Sequence, residues 1–196
     1  FASVVSHDLR TPLSVVDGSL ELARARHPDD EDLARADRSL DRAFDLIEEL
    51  LTLARGTDTL TPTPCSVRSV AEACWPALAS DEATLDVESD PTIRADEAAL
   101  RRLFENLLRN CVEHGDTGSG VTVTVGSLAD RPGFYVADDG PGIPADVDTA
   151  AFDVGYTTGS EGTGLGLAIV ERIADAHGWT VGLAGGDGGA RFEVSG

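Results

Sequence analysis

Two apolar seams near the start of the chain constrain its fold more than any other feature. In each seam the apolar residues recur at spacings of three or four, a repeat typical of helices that pack through heptad positions. The first seam consists of Val5, Leu9, Leu13, Val16, Leu20 and Ala23, and the second of Leu33, Ala36, Leu40, Ala43, Ile47, Leu50 and Ala54. The polar run His-Pro-Asp-Asp-Glu-Asp at 27–32 separates them. Residues 1–55 are therefore predicted to form an antiparallel helical hairpin.

A two-helix hairpin buries little apolar surface by itself, so we expect two copies to form a dimeric four-helix bundle. The stretch GTDTLTPTP at 56–64 has the composition of a linker. Residues 65–196 mix helical and strand-like periods, with Asp96 as a candidate N-cap. Helices are predicted at 67–80, 96–114 and 163–177, and strands at 84–88, 121–127, 133–137, 179–184 and 190–194. The expected fold is multidomain: an α-helical hairpin, then an α+β sandwich of helices over a mostly antiparallel sheet.

The chain carries a large excess of negative charge. Asp and Glu number 35 against 15 basic residues, which gives a net charge of −20, and every basic residue is Arg. This balance disfavours nucleic acid as a partner. It is typical of adaptation to a very salty cytoplasm, where screening weakens repulsion, and also of an acidic surface that binds a partner. The absence of Lys excludes the P-loop and the eukaryotic-type protein kinase fold, since each places a Lys on ATP phosphates.

The sequence gives no sign of a membrane span, a signal peptide or a disulfide. No apolar run approaches the roughly 20 residues of a membrane helix, and no charged start precedes a short apolar stretch. Cys65, Cys74 and Cys111 form no Cys-x-x-Cys pair and are expected to be small buried residues. The chain begins with Phe1 and lacks Met, so we expect a cytoplasmic piece of a longer polypeptide, with any membrane anchor outside it.

A histidine on the first predicted helix is the first candidate for chemistry. In VVSHDLRTPL, at 4–13, His7 lies between seam positions and is expected to point away from the bundle core. Pro12 lacks the N–H that would bond the carbonyl of Asp8, so the helix is expected to bend or loosen just after His7. A nearby carboxylate can accept the Nδ1 proton of an imidazole and leave Nε2 as a nucleophile. Taken alone, the stretch is more typical of a surface histidine.

Two further stretches contain candidate ligands for a nucleotide and its metal. Asn106 and Asn110 are four residues apart on a predicted helix, so their oxygens suit Mg²⁺, with solvated surface amides as an equal alternative. The strand FYVAD ends at Asp138, which can accept a hydrogen bond from an exocyclic amine such as that of adenine. Gly140 and Gly142 allow close backbone approach, although such residues are also typical of a hairpin turn.

The stretch GSEGTGLGLAIV at 159–170 places Gly162, Gly164 and Gly166 at the start of a predicted amphipathic helix. The first N–H groups and the positive dipole end of such a helix can bind phosphate. No strand leads directly into these glycines, so the stretch is not a Rossmann fingerprint. The polar segment 145–161 before it suits a lid over a nucleotide, or a connecting loop without a role.

Five motifs in this order resemble those of one family. HDLRTP, NLLRN, DDGPG, FDVGYTT and GTGLGL look like the H, N, G1, F and G2 boxes of the sensor histidine kinases of two-component systems. The resemblance covers nearly the whole chain. It implies a dimerisation and histidine phosphotransfer hairpin at 1–55, a linker at 56–64 and a Bergerat-type catalytic ATP-binding domain at 65–196. The implied cofactors are ATP and Mg²⁺, and the implied partner is the receiver domain of a response regulator.

The resemblance also implies roles for residues of the first predicted helix. His7 would be the phosphoacceptor that attacks the γ-phosphate of ATP, and Asp8 the general base that draws off its Nδ1 proton. The phosphoryl group would then pass to an aspartate of the response regulator. Thr11 matches the position that in many relatives orients water for dephosphorylating that partner.

The remaining implied roles concern the nucleotide. By similarity, Asn110 together with Asn106 would ligate Mg²⁺, and Asp138 would recognise the adenine amino group. His114 stands where an aromatic residue often covers the adenine, with a plain surface role equally open. The other residues of the implied nucleotide site are Gly140, Gly142, Thr157, Thr158, Gly162, Thr163, Gly164, Leu165 and Gly166.

The sequence departs from the family pattern where relatives often carry Lys. Glu113 and Gly159 stand at two such places, and Arg109 or Arg102 is a candidate substitute for the phosphate contacts. An ATPase of the Hsp90 or MutL type is a second interpretation, but those use a Glu where this chain has Asn106 and lack a histidine hairpin. A non-catalytic module for dimerisation and nucleotide sensing is the third.

Overall fold

The computed structural model describes the chain in two compact units, 1–56 and 57–196. The described backbone covers residues 2–54, 60–78, 82–115, 118, 120–143, 150–153, 155–156, 164–184 and 188–196. Within these ranges the side chains of 2–10, 41, 45, 48–54 and 150 are excluded from the description.

The first unit is a helical hairpin. Helix α1 runs over Ala2–Arg26 and helix α2 over Glu31–Ala54. Asp30 caps α2, because its Oδ1 accepts hydrogen bonds from the main-chain N–H groups of Asp32 and Leu33. Arg24 on α1 forms an ion pair with Asp37 on α2. The prediction of two helices separated by a polar turn near 27–32 is confirmed.

Part of the apolar surface of this hairpin faces outward. Leu40 on the second seam is buried, whereas Val16 on the first seam is 51% exposed and Ala36 is also exposed. Val15 and Leu22 on α1 are more exposed still. Pro12 lies inside α1, which continues on both sides of it. The expected bend after His7 stays a prediction.

The second unit contains seven strands and three helices among its described residues. A short strand β1 (Thr63–Ser66) leads into α3 (Val67–Cys74), a 3-10 turn (Trp75–Ala77), β2 (Ala83–Val87) and β3 (Thr92–Ala95). Helix α4 (Glu97–Gly115) is followed by β4 (Val121–Ser127) and β5 (Gly133–Asp138). After a 3-10 turn at Ala150–Phe152 come α5 (Gly166–His177), β6 (Thr180–Leu183) and β7 (Arg191–Ser195).

Five of these strands form one sheet, in the order β2-β4-β5-β7-β6. Only the β2–β4 pair among them is parallel, so the predicted mostly antiparallel sheet is confirmed. One face of the sheet packs against the apolar face of α4, where the rings of Phe104 and Phe134 stack with centroids 5.1 Å apart. The residues of α4 on this face are buried: Leu100, Leu103, Phe104, Leu107, Leu108, Cys111 and Gly115. The sheet thus holds α4 in a fixed register against the end of β5.

The structure differs from the sequence prediction where the chain joins the second unit. Strands β1 and β3 form a two-stranded antiparallel ribbon that was not predicted, in which Thr63 pairs with Ala95. The predicted linker at 56–64 therefore overlaps β1 at Thr63 and Pro64. Proline in a sequence usually indicates a turn. An edge strand nevertheless tolerates it, because the position that lacks an N–H group can face away from the neighbouring strand.

Two predicted helices are also shorter than expected. Helix α3 ends at Cys74, because Pro76 two residues later cannot continue the hydrogen-bond ladder and a 3-10 turn follows. Helix α5 begins at Gly166 rather than at 163. Gly164 has φ +68, a left-handed conformation that cannot belong to a right-handed helix.

Candidate nucleotide site

The two asparagines of α4 direct their amide oxygens to one place. Asn106 donates from Nδ2 to the carbonyl oxygen of Arg102 one turn earlier, at 2.8 Å, so its Oδ1 points to the other side. A Cβ atom placed on Gly166 would lie 3.1 Å from Oδ1 of Asn106 and 3.7 Å from Oδ1 of Asn110. Both oxygens therefore face the first residue of α5. Two amide oxygens are suitable ligands for Mg²⁺, and the helix N-terminus beside them is suited to bind phosphate.

The start of α5 has features of an anion site. Its N-cap residue is Leu165, whose buried apolar side chain makes no capping hydrogen bond to the N–H groups of the first turn. Such N–H groups carry the positive end of the helix dipole. The carbonyl of Gly164 accepts a hydrogen bond from the N–H of Gly155 at 2.8 Å, which ties the glycine turn to the segment before it.

Asp138 lies at the end of β5 and is held by the main chain. It is 8% exposed, and its Oδ1 accepts hydrogen bonds from the N–H groups of Gly140 and Ala190, each at 3.0 Å. Its own main-chain N–H donates to the carbonyl oxygen of Ala190 at 2.9 Å. These contacts fix the plane of the carboxyl group, as recognition of a planar base requires.

Glycines surround Asp138 because there is no room for side chains. A Cβ atom on Gly115 would lie 3.2 Å from the Cβ and Cγ atoms of Asp138, and one on Gly140 would overlap the backbone of Gly115. Gly189, with φ +79, would place a Cβ on the carbonyl oxygen of Asp138. Gly142, with φ +77, would place one 2.8 Å from the carbonyl oxygen of Gly189. Without side chains at these positions the backbone can approach Asp138 closely, and a flat ligand would need the same close approach.

The neighbouring Asp139 is turned away from this cluster. Its Oδ1 accepts a hydrogen bond from the main-chain N–H of Thr122 at 2.7 Å. That hydrogen bond lowers the pKa of the Asp139 carboxyl below its ordinary value. Of the two adjacent carboxylates, only Asp138 belongs to the candidate site.

The predicted site residues fall into three groups in the structure. The first group forms two sets of contacts in the second unit. Asn106 and Asn110 lie beside Gly166, which follows Gly164 and Leu165 at the start of α5. Asp138 lies beside Gly140 and, through Gly189, near Gly142. His114 is exposed near the end of α4, and Thr11 is exposed on α1 in the first unit. Thr157, Thr158, Gly162 and Thr163 lie outside the described residues, as do the side chains of His7 and Asp8. Among the side chains that the structure does describe, no cluster of three or more His, Cys, Asp or Glu suits a metal.

Sequence reasoning missed several residues that shape the site. Gly189 and Ala190 contact Asp138 from the turn before β7, and Gly115 approaches it from α4. The doubled glycines of GGDGGA at 185–190 were a usable signal, because glycine pairs often mark close backbone contact. Cys111 was correctly predicted to be buried, as were Cys65 and Cys74.

Family relationships agree with this geometry. Residues 95–195 match the family described as histidine kinase-, DNA gyrase B-, and HSP90-like ATPase. The chain belongs to this ATPase family. Residues 1–59 match the His Kinase A (phospho-acceptor) domain, so a phospho-acceptor unit precedes the ATPase unit as in histidine kinases. The resemblance to sensor histidine kinases drawn from the five motifs is confirmed.

Curated relatives of this ATPase family member are sensor kinases. The probable sensor histidine kinase TcrY of Mycobacterium tuberculosis is 32% identical over 213 residues, covering 99% of this chain and 44% of TcrY. The sensor protein QseC of Salmonella typhimurium is 31% identical over 218 residues, covering 100% of this chain and 46% of QseC. The chain therefore spans just under half the length of these relatives.

Solved structures share the fold. Full-length ShkA in complex with AMPPNP is 34% identical and superposes with a TM-score of 0.72, covering 98% of this chain and 44% of ShkA. The histidine kinase AdeS of Acinetobacter baumannii is 21% identical with a TM-score of 0.63, and its likeness concerns the fold alone. The predicted fold class, a helical hairpin followed by an α/β ATP-binding unit, is confirmed. No described helix of the chain is long and apolar enough to cross a membrane.

Proposed function

We propose that this chain is the catalytic core of a sensor histidine kinase in two-component signalling. It would autophosphorylate on His7 with ATP and pass the phosphoryl group to an aspartate of a response regulator receiver domain. The observation that carries the proposal is the convergence of the Asn106 and Asn110 oxygens on Gly166, at the start of α5. A phospho-acceptor match at 1–59, ahead of the ATPase match, supports His7 as the acceptor.

The nucleotide would occupy the cluster between Asp138 and the start of α5. Asp138 would accept a hydrogen bond from the adenine amine, and His114 would lie near the base. The phosphates would be bound by the glycine turn and its neighbours: Thr157, Thr158, Gly162, Thr163, Gly164, Leu165 and Gly166. Asn106 and Asn110 would hold Mg²⁺, whose charge, when bound, offsets that of the phosphates. Gly140 and Gly142 would admit the base.

The proposed chemistry at His7 is phosphoryl transfer by positioning. The Nε2 lone pair attacks the γ-phosphorus of ATP, the bond from that phosphorus to the bridging oxygen breaks, and ADP leaves. Asp8 would accept the Nδ1 proton, which leaves the phosphorylated imidazole ring uncharged and the negative charge on the phosphoryl oxygens. Thr11 would instead serve the dephosphorylation of the response regulator, by orienting a water molecule for that reaction.

We propose that the hairpin forms a homodimer through α1 and α2. In the single hairpin Val16, Leu22 and Leu46 are exposed, and a second hairpin would cover such surface in a four-helix bundle. The proposed division is 1–55 for dimerisation and phosphotransfer, 56–64 for the linker and 65–196 for ATP binding. Residues 63–64 of that linker would then move with the ATP-binding domain, because they belong to β1.

The net charge of −20 supports a proposal about environment. We propose that the protein works in a very salty cytoplasm, which screens repulsion and supplies ATP, and that it does not bind nucleic acid. Any contact with a membrane would come from parts outside these residues. An acidic surface that binds a partner is the alternative origin of the charge.

The decisive experiment is incubation with γ-labelled ATP and Mg²⁺ in multimolar KCl. The wild type should acquire label that is acid-labile and base-stable. His7→Gln should acquire none while its ATP affinity stays within about twofold, because the two units are distinct. His27→Gln, a change at an exposed histidine in the same unit, is the matched control and should label like the wild type.

Two outcomes would contradict the proposal. Label on His7→Gln would place the acceptor elsewhere. ATP binding without any label on the wild type would favour a nucleotide-sensing module over a kinase.

A further inference from the structure

Ala190, the residue before β7, lies directly opposite Asp138 at the end of β5. The register pairs Ala137 with Arg191, so Asp138 and Ala190 form the next pair along the two strands. The main-chain N–H of Asp138 donates to the carbonyl oxygen of Ala190 at 2.9 Å. In a regular antiparallel ladder, the N–H of Ala190 would return this bond to the main-chain carbonyl oxygen of Asp138.

The N–H of Ala190 binds the side chain of Asp138 instead. It donates to Oδ1 of the carboxyl group at 3.0 Å. Gly189 lies against the main-chain carbonyl oxygen of Asp138, where a Cβ atom would overlap that oxygen. The pairing of β5 with β7 therefore ends in a hydrogen bond from main chain to side chain. Because the carbonyl group of Ala190 is held by Asp138, the neighbouring N–H has a fixed position relative to β5.

Two N–H groups use the whole acceptor capacity of Oδ1. The second donor is the N–H of Gly140, also at 3.0 Å. A carboxylate oxygen has two lone pairs, so an amine of a ligand must bind the other oxygen, Oδ2. The orientation of the carboxyl group then decides whether Oδ2 faces that amine.

The two donors restrain the carboxyl group in different ways. Gly140 is only two residues after Asp138, so its N–H fixes the side chain relative to the turn in which both residues lie. Ala190 is 52 residues away along the chain, at the start of the neighbouring strand. Its N–H therefore fixes the side chain relative to the sheet. A turn can shift with Asp138, whereas a paired strand holds the carboxyl group in place.

We propose that Ala190 is a positioning residue whose main-chain N–H holds Asp138 with Oδ2 toward the exocyclic amine of the bound base. The inference rests on the proposed role of Asp138 in adenine recognition. It extends that role to the residue before β7, which sets how strongly the site prefers a base with this amine. A purely structural role of this N–H would affect bases with and without the amine equally.

The binding experiment removes this N–H and keeps the side chain. Ala190→lactic acid, made by cell-free translation with a suppressor tRNA, replaces the N–H with an ester oxygen and retains the methyl group. Affinities are measured for ATP and for purine riboside triphosphate, which lacks the exocyclic amine, each with Mg²⁺. The ester should weaken ATP binding about three- to tenfold, the size expected for one lost hydrogen bond, and leave the analogue nearly unchanged.

Ala184→lactic acid is the matched control. The N–H of Ala184 donates to the carbonyl oxygen of Arg191 at 2.8 Å, so this ester also removes one hydrogen bond between β6 and β7. It should leave the ratio of the two affinities unchanged. Equal weakening of both nucleotides by Ala190→lactic acid, or a ratio equal to that of the control, would overturn the proposal.

The wild type distinguishes failure of this inference from failure of the proposed function. A wild type that binds ATP and the analogue equally would refute adenine recognition by Asp138, and the role of Ala190 with it. A wild-type preference for ATP that survives in Ala190→lactic acid would refute only the role of Ala190.

A nuclear magnetic resonance measurement without nucleotide tests the hydrogen bond even if the ester protein folds poorly. Asp138→Ala removes the acceptor, so the amide proton of Ala190 should move upfield, while that of Ala184 should stay in place. An unchanged Ala190 resonance would refute the hydrogen bond and the proposal built on it.

Discussion

The main-chain N–H of Asp96 donates a hydrogen bond to Nε2 of His177, at 3.0 Å. The other ring nitrogen, Nδ1, lies 2.8 Å from the carbonyl oxygen of Ile173, which can only accept, so His177 carries its proton on Nδ1. The ring also stacks on Trp179, with centroids 4.3 Å apart. A single imidazole thus joins the start of α4 to the end of α5.

Replacing this imidazole should destabilise the second unit. His177→Ala removes the acceptor for the Asp96 N–H and the stacking partner of Trp179, so the free energy of unfolding should fall by about 2 kcal/mol. Urea denaturation followed by Trp fluorescence measures the change. His114→Ala, at an exposed histidine of α4, should alter stability by less than about 0.5 kcal/mol. Equal effects of the two variants would show that the bridge contributes little.

A methyl group at Gly166 should impair nucleotide binding more than folding. The new Cβ would lie 3.1 Å from Oδ1 of Asn106, so the amide must shift away from the start of α5. We expect ATP affinity with Mg²⁺ to fall about tenfold, about 1.4 kcal/mol, by titration calorimetry. The melting temperature should change little, because Ala suits a helix better than Gly. Gly182→Ala in β6, where a Cβ meets nothing within 4 Å, should leave affinity unchanged.

The Asp96 cap at the start of α4 should make the free energy of unfolding depend on pH in the acid range. Hydrogen bonds from the N–H groups of Ala99 and Thr61 lower the pKa of the Asp96 carboxyl. A lowered carboxyl pKa stabilises the fold above about pH 4, and this contribution is lost as pH falls through the folded-state pKa. Asp96→Asn keeps a capping side chain without the titration, so its stability relative to wild type should improve as pH falls.

Urea denaturation of both proteins between about pH 7 and pH 3 measures this difference. Asp96→Ala removes the cap altogether and should cost about 1–2 kcal/mol at neutral pH. Stability curves that stay parallel for wild type and Asp96→Asn over the whole range would contradict the expected titration.

Gly189 should tolerate no side chain. With φ +79 and the carbonyl oxygen of Asp138 in the place of a Cβ, Gly189→Ala combines backbone strain with overlap. The cost should be about 3 kcal/mol or more, with ATP binding weakened because Asp138 is displaced. Gly188→Ala is the matched comparison, since its φ is +147 but a Cβ there meets nothing within 4 Å. A cost no greater at 189 than at 188 would mean that the turn relaxes around the methyl group.

The sequence predicted those features that are encoded locally. Apolar spacing identified the hairpin and α4, and the i, i+4 relation of Asn106 and Asn110 placed both on one edge of that helix. Asp96 was correctly predicted as an N-cap because the signal lies within one turn. Secondary structure and the ligand-bearing edge of α4 were therefore accessible from the chain alone.

Features that depend on distant segments were not predicted. The β1–β3 ribbon brings Thr63 beside Ala95. Because proline is rare in strands, the presence of Pro64 prevents a prediction of β1 from strand propensity. The contacts of Ala190 and Gly115 with Asp138 bring the turn before β7 and the end of α4 to the end of β5, and no local signal in the sequence predicts these contacts. Long-range pairing decides these parts of the site, so only the folded structure reveals them.

Asp96 is a common anchor for the chain at Thr61, the start of α4 and the end of α5. Thr61 binds its carboxylate at 3.1 Å, so the chain reaching the second unit is fastened at this point. Asn110 lies about 20 Å away along α4 and Gly166 about 17 Å from His177 along α5, at 1.5 Å per residue. The segment that enters the second unit is therefore tied through Asp96 to the start of one helix and, through His177, to the end of the other, and these are the two helices that bear Asn110 and Gly166.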